Sequence, residues 1–373
     1  MWETDDTGRF DQETAQAGVR AFVEFLRELE LPTEDSELDD ALWCRLKKSA
    51  SAVKGTVYGS GVYQKGIQSE TFRDFSHGET TATIFQDERM TYMEFETLNN
   101  GVNMPMAGIG TFLLTPDEAE TSVLSALQCG YRLIDTANAY VNEKAVGRAM
   151  KKSGVERKDI FLETKLWPSF YEQADAVDKT LERLDTDYID LLLIHQPAGN
   201  YVAGYKQMEQ AYQEGKVKAI GLSNFNTWQI QEILDICEVK PAVLQTEVHP
   251  YSQEKELKSF LSDEGIVIQA WYPLGHGDKA LRQEPLFTAL GKKYSKSNAQ
   301  IILRWHIQAG NIVIPGSKNP EHIQANLDLF DFSLTDEEMA KIAAMDQKQR
   351  YYHSTPEMLK KYAEMVPPVD EQK

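Results

Sequence analysis

From about residue 105 onward, short apolar runs alternate with stretches of helical period and with turn residues. In order, the runs are MAGIGTF, RLIDTA, IFLETKL, IDLLLIHQ, VKAIGLSN, AVLQTEVH, IVIQAWYPL and NIVIPGS. Their near-continuous hydrophobicity suits strands covered on both faces, the condition of a parallel sheet with helical crossovers. Between the first two runs, TPDEAETSVLSALQCG carries Val123, Ala126 and Leu127 at i, i+3 and i+4 and ends at Gly130, where a helix would stop. Eight such strands with intervening helices over about 250 residues predict an α/β chain folded as a (β/α)8 TIM barrel, spanning residues 91–373, rather than an open doubly wound sheet. No GxGxxG follows any strand, which removes the best support for a dinucleotide-binding sheet. Ahead of the barrel, YMEFETLNNGVNMPM holds an Asn-Asn-Gly turn between two extended segments, a hairpin expected to close the barrel's bottom. Residues 1–90 read differently. An acidic amphipathic helix around Gly18 to Leu31 precedes a Gly, Ser and Thr-rich tract, so a separate, partly helical N-terminal extension is expected.

The charge balance narrows the partners. With 39 basic against 58 acidic residues, a net charge of -19 opposes general binding to nucleic acid or to anionic membrane surfaces. No apolar run reaches the ~18 residues of a membrane span, and the start MWETDDTGRF lacks the basic and apolar regions of a signal peptide, so a cytoplasmic protein is expected. Cys44, Cys129 and Cys237 are odd in number and far apart, which fits neither a disulfide framework nor a zinc site.

Chemistry in such a barrel sits at the C-terminal ends of the strands, where the loops are free to vary. The second strand ends at Asp135, with Tyr140 in the loop after it; the third ends with Lys165 and the fourth with His195. Each has an ordinary structural explanation: a helix cap, a packed ring, a solvated ammonium, a satisfied core imidazole. Together they make chemical sense. A phenol with an ordinary pKa near 10 becomes a usable acid at neutral pH only where a cation stabilises its anion, and Lys165 stands in the right place to do so. Asp135 would hold that ammonium charged and oriented, while His195 would align a substrate oxygen.

These residues match a known pattern: from about Met93 to the C-terminus the sequence resembles the aldo-keto reductases, among them bacterial diketogluconate and methylglyoxal reductases. The segments that carry the resemblance are GYRLIDTANAYVNEKAVGRAM, ETKLW, LLLIHQP and AIGLSNF. The resemblance implies an NAD(P)H-dependent reductase of small aldehydes and ketones, with a catalytic tetrad of Asp135, Tyr140, Lys165 and His195 and with Tyr140 as general acid. It also implies that Ser223, Asn224 and Gln245 hold the cofactor's carboxamide, that Trp271 stacks on the nicotinamide, and that Trp167 and His249 line the substrate pocket. For Ser223 and Asn224 a helix N-cap is equally open, and His249 is as well explained as a structural strand-end residue. A monomer is expected on the same resemblance.

One stretch departs from the family. After the eighth strand the common pattern has a lysine followed by serine, an arginine six positions after that lysine, and a closing Glu-Asn, which hold the adenosine 2'-phosphate and adenine. Here IPGSKNPEHIQAN places Gly316, His322 and Ala325 at the lysine, arginine and glutamate positions, keeping Ser317 and Asn326. Arginine is a permanent bidentate phosphate partner and a histidine side chain is mostly neutral at pH 7, so discrimination for NADPH over NADH should be weaker than usual. Lys318 offers a replacement cation at the start of the next helix, whose N-terminus favours anions. NADPH remains the expected cofactor, with real NADH activity. Two other classes compete: an aldolase using Lys165 as a Schiff base, which needs neither Tyr140 nor the SNF strand, and a nucleotide-binding regulatory barrel with the N-terminal helix as a docking arm.

Overall fold

Asn99, Asn100 and Gly101 reverse the chain between two short antiparallel strands, β1 (Phe95–Thr97) and β2 (Asn103–Pro105). The computed structural model describes residues 93–372, so the extension expected over residues 1–90 lies outside the described residues. Gly101 has φ 84°, a conformation that costs glycine little and other residues much. Leu98 and Met104 project from the hairpin into an apolar cluster with Leu133, Phe161, Leu191 and Val243. Asn99 and Asn100 donate side-chain hydrogen bonds to the carbonyls of Pro241 and Lys218, at the entrances of two barrel strands. The hairpin therefore closes the N-terminal end of the barrel.

Eight parallel strands follow: β3 (Gly108–Gly110), β4 (Leu133–Asp135), β5 (Phe161–Leu166), β6 (Leu191–Ile194), β7 (Ile220–Ser223), β8 (Val243–Glu247), β9 (Val267–Trp271) and β10 (Ile312–Val313). They pair in chain order, and a parallel bridge between Ala107 and Val313 with a 2.9 Å bond from Val313 N to Met106 O closes the sheet. This is the (β/α)8 barrel expected from the sequence, and each of the eight apolar runs contains one of its strands.

Helices α1 (Pro116–Cys129), α2 (Glu143–Ser153), α3 (Ala176–Leu184), α4 (Tyr201–Gln213), α5 (Thr227–Ile236) and α6 (Lys255–Glu264) follow β3 to β8 in turn. After β9 come α7 (Lys279–Arg282), α8 (Pro285–Tyr294) and α9 (Asn298–Gln308), and after β10 come α10 (Pro320–Leu327), α11 (Asp336–Ala343) and α12 (Pro356–Glu364). The first helix shows how local chemistry sets the boundaries. Thr115 and Glu118 form a reciprocal capping box, Pro116 takes the first helical position, and Gly130 stops the helix at φ 107°. Helices α2 and α3 approach closely because residue 147 is glycine: a Cβ there would lie 2.4 Å from the carbonyl oxygen of Leu184. Gly147→Ala is expected to cost about 1–3 kcal/mol through this overlap, read as a lower urea midpoint. An unchanged midpoint would mean that the two helices part freely.

Alternation along the strands sorts side chains between the helix layer and the barrel interior. Ile134, Leu162, Leu192 and Leu244 face the helices, while Leu133, Phe161, Leu191 and Val243 fill the lower interior. Above that apolar floor the inward positions turn polar, and this change locates the site. Among the described residues, no helix is long and apolar enough to cross a membrane.

Candidate active site

Lys165 is the hub of the upper barrel. Its ammonium, with no solvent exposure, donates to Asp135 Oδ1, to the carbonyl of Thr136 at 2.9 Å and to the Tyr140 hydroxyl at 3.2 Å. Asp135 reaches it from the end of β4, the neighbouring strand in register. Tyr140 comes from a single 3-10 turn, Asn138–Tyr140, which is pinned from below. Asn138 donates to Glu143 Oε1 at 2.9 Å and to Thr180 Oγ1 at 3.2 Å. Glu143, itself buried, accepts from Thr164 of β5 at 2.8 Å and from Arg183 of α3 at 2.6 Å. A charged, hydrogen-bonded pair in the helix layer thus fixes the turn that carries the phenol.

His195 follows β6, its backbone N–H bonded to Leu166 O, and its ring meets Tyr140 edge-on at 5.6 Å and Trp167 at 5.0 Å between centroids. Burial, then the Lys165 charge, holds the imidazole well below its ordinary pKa, so it is neutral. For Tyr140, burial pushes the phenol up to about 12, and the Lys165 cation only partly offsets that rise. Tyr140 therefore rests protonated, with the Lys165 cation within hydrogen-bond reach to stabilise the anion that proton donation leaves. Burial also disfavours the Lys165 ammonium, yet its partners, the Asp135 carboxylate first, outweigh it, and the amine is held charged. The four tetrad candidates are therefore brought together with a neutral phenol, a neutral imidazole and a fixed cation.

The neighbouring rim carries the other candidates. Ser223 of β7 and Gln245 of β8 are register partners, and Trp271 ends β9 next to them. Asn224, in the left-handed region at φ 65°, donates to His195 O at 3.3 Å and to Ser223 Oγ at 3.1 Å, and accepts from Trp271 Nε1 at 3.0 Å. The N-cap of α5 is Asn226, not Ser223 or Asn224, which leaves those two groups to the rim. Gln245 turns its Nε2 inward, to Asp135 Oδ1 at 3.0 Å and Gln269 Oε1 at 2.7 Å, so only its carbonyl oxygen is free of these bonds. A polar ledge of serine, asparagine and glutamine amide beside an indole fits a nicotinamide carboxamide and ring.

Farther out, Gly316 passes close to the start of the barrel, where a Cβ would lie 3.0 Å from the Gly110 carbonyl oxygen. Ser317 Oγ accepts from Asn319 N at 3.1 Å, Asn319 caps α10, His322 lies exposed on the first turn of that helix, and Asn326 is buried beneath it. Lys318 is 70 % exposed and pairs with Glu118 of α1 at 2.9 Å. An eight-residue helix N-terminus with one exposed cation and one imidazole beside it fits an anionic group better than a neutral one.

Trp167 packs between His195 and Tyr362 and donates its indole N–H to Met365 O at 2.9 Å. His249 is fully buried beneath the C-terminal tail, bonded to Glu247 at 3.0 Å and covered by the Tyr351 ring at 4.9 Å. Glu247 also accepts from the backbone N–H groups of Tyr351 and Tyr352, at 2.6 and 2.9 Å. The tail therefore crosses the rim, and Tyr352 reaches Gln196 Oε1 at 3.2 Å while its ring meets Trp271 at 5.6 Å. Phe112, exposed in the loop after β3, meets Tyr140 at 5.1 Å and Tyr272 at 6.4 Å. Phe112, Gln196 and Tyr272 join the pocket without having been singled out in the sequence, and Tyr352 of the tail RYYHSTPEMLKKYAEMVPP joins them. Their strand-end positions were a signal for three of them, whereas Tyr352 arrives from a distant tail.

Comparison with known proteins matches a model described as the aldo/keto reductase family over residues 106–347. A glyoxal reductase of Bacillus subtilis (strain 168) is 41% identical over 267 residues, covering 70% of this chain and 96% of that protein. An aldo-keto reductase of Mycolicibacterium vanbaalenii is 44% identical over 260 residues, 68% of this chain and 92% of the relative. Among solved structures, an aldo/keto reductase from Brucella melitensis superposes with a TM-score of 0.66 at 42% identity, covering 68% of this chain and all of that one. A Bombyx mori aldo-keto reductase in complex with NADP gives 0.66 at 34% identity, over 70% of this chain and 95% of that one.

Proposed function

The chain belongs to the aldo/keto reductase family and is an NAD(P)H-dependent carbonyl reductase, and from that premise we propose that Tyr140 protonates the carbonyl oxygen of a small aldehyde or ketone, with NADPH preferred. When bound, the nicotinamide supplies a hydride to the carbonyl carbon. The chain's own residues do the rest. Tyr140 donates its hydroxyl proton to the developing alkoxide, and Lys165 stabilises the phenolate left behind through the 3.2 Å contact it already makes. Asp135 keeps that ammonium in place, and neutral His195 offers a hydrogen bond that steers the carbonyl oxygen without competing for its proton. Ser223, Asn224, Gln245 and Trp271 hold the nicotinamide, and Trp167 lines the substrate pocket while His249 supports its wall from behind. The single observation that carries this reading is the buried Lys165 ammonium shared by Asp135 and the half-buried Tyr140 at the barrel rim.

Aromatic walls from Phe112, Tyr140, Trp167 and Tyr272, with Gln196 and the Tyr352 hydroxyl at one side, suit a compact carbonyl compound bearing a polar or flat substituent. Methylglyoxal and aryl aldehydes are the first substrates to test, following NADPH and NADH consumption. Nucleotide binding without turnover on any of them would sink this reading. We further take residues 91–373 as the catalytic unit, residues 1–90 as a separate extension, and the working form as a monomer.

The phosphate end sets the cofactor ratio. Ser317, Lys318, His322 and Asn326 surround the position for the adenosine phosphate, with Lys318 held only by an exposed pair that a phosphate can displace. Lys318→Ala is expected to lower the NADPH/NADH ratio of kcat/KM about fivefold, equivalent to about 1 kcal/mol. His322→Arg should raise it by a similar factor, because a guanidinium grips phosphate bidentately. A ratio that neither substitution moves would remove both residues from the phosphate site.

A further inference from the structure

Glu163 lies two residues before Lys165 on β5, and so on the same inner face, yet the tetrad does not use it. It has no solvent exposure. Its register neighbours are Asp135 on β4 and Leu191 on β6. From across the barrel, Gln269 Nε2 donates to Glu163 Oε1 at 2.6 Å and Gln245 Nε2 lies 3.5 Å from the same oxygen. Gln245 also donates to Asp135, so one amide chain links the two carboxyl groups through β8 and β9. The charged groups that act on Glu163 are Asp135 and Lys165, with Tyr140 beyond them; β6 and β7 contribute Leu191, Leu193 and Gly221.

The other oxygen decides its state. Oε2 of Glu163 is buried with no hydrogen-bond donor aimed at it. An ionised carboxylate oxygen sealed without a donor is costly, and two adjacent carboxylates sharing one ammonium cannot both ionise cheaply. A proton on Glu163 removes both costs, since it turns an acceptor into a donor and the Asp135 carboxylate lies within hydrogen-bond reach.

We propose that Glu163 is a positioning residue of the tetrad, a neutral acid that donates its carboxyl proton in a hydrogen bond to Asp135 and so leaves the Lys165 ammonium to one carboxylate and the Tyr140 phenol. Burial, and after it the Asp135 charge, pushes the Glu163 carboxyl well above the usual carboxylate range, in the same direction as the geometry. Ionised, Glu163 would place a second negative charge beside Lys165 and oppose the phenolate that proton donation creates. No proton leaves Glu163 during reduction; its role is to set where the cation is held. The inference rests on the reductase reading of the same site.

The test uses the full chain. In infrared difference spectra at pH 7, wild type minus Glu163→Gln should contain the carbonyl stretch of a protonated carboxyl group, shifted in D2O. In steady-state kinetics, Glu163→Leu should lower kcat about tenfold or more with KM for cofactor and carbonyl little changed. Glu163→Gln should recover kcat to within about threefold of wild type, because its amide still donates to Asp135. Absence of the infrared band overturns the proposal, as does equal loss of kcat in both variants or full activity in Glu163→Leu. If Glu163→Leu does not fold, the band and the glutamine variant still decide. A wild-type protein inactive on every carbonyl would sink the reductase reading alone, since the infrared band reports on Glu163 without turnover.

Discussion

Tyr140→Phe is expected to lower kcat for carbonyl reduction by about 10²- to 10⁴-fold, the usual worth of a positioned general acid, while nucleotide affinity stays within about twofold. Removing one hydroxyl deletes the acid assigned to protonate the substrate oxygen and leaves Lys165 with Asp135 and the Thr136 carbonyl. The ring contacts with Phe112 and His195 survive, so the pocket keeps its shape and binding should not suffer. The wild-type profile of kcat should also be flat between about pH 6 and 8. Burial raises Tyr140 to about 12, so it keeps its proton throughout that window. His195 is depressed well below its ordinary value and stays neutral there. Comparing wild type and Tyr140→Phe across pH with methylglyoxal checks both statements. Retained turnover in the phenylalanine variant would remove Tyr140 as the acid, and an acid limb near 6.5 would mean that the site's histidine titrates after all.

Strands buried on both faces are legible because they read as short, mostly apolar runs bounded by turn residues, and so all eight runs, RLIDTA to NIVIPGS as well as MAGIGTF, stand out in the sequence. Asp135, Lys165 and His195 were legible for a related reason: a charge closing an apolar run marks a strand's open end. Glu163 and Gln269 were harder. Their parity on IFLETKL and IVIQAWYPL does point them inward, but a barrel interior is usually filled by branched apolar side chains, and a polar middle layer shows itself only when four strands are assembled. Long-range closures leave still less trace. Glu247 clasps the backbone of Tyr351 and Tyr352 across about a hundred residues, and Lys318 meets Glu118 across two hundred. Neither partner carries a local pattern that names the other. The same limit explains His249: the family resemblance suggested the pocket, its strand-end position a structural role, and only the folded tail shows it sealed behind the wall.

Lys165→Met should combine loss of activity with loss of stability, because one ammonium serves both. In the wild type its charge is matched by Asp135 with both groups out of water. Methionine fills the stem's space but leaves Asp135 a buried carboxylate without its cation, still accepting from the Gln245 amide at 3.0 Å. Breaking a buried pair from one side costs about 3–5 kcal/mol at neutral pH. The loss should appear as a lower urea midpoint than that of the wild type at pH 7.5. The double variant Asp135→Asn/Lys165→Met should regain most of the stability, since no unpaired charge remains, yet stay as slow in single-turnover hydride transfer as Lys165→Met alone. A single variant as stable as wild type at pH 7.5 would show that Asp135 and Lys165 are not held as a buried ion pair. A double variant that regains activity would show that the phenol of Tyr140 works without a cation.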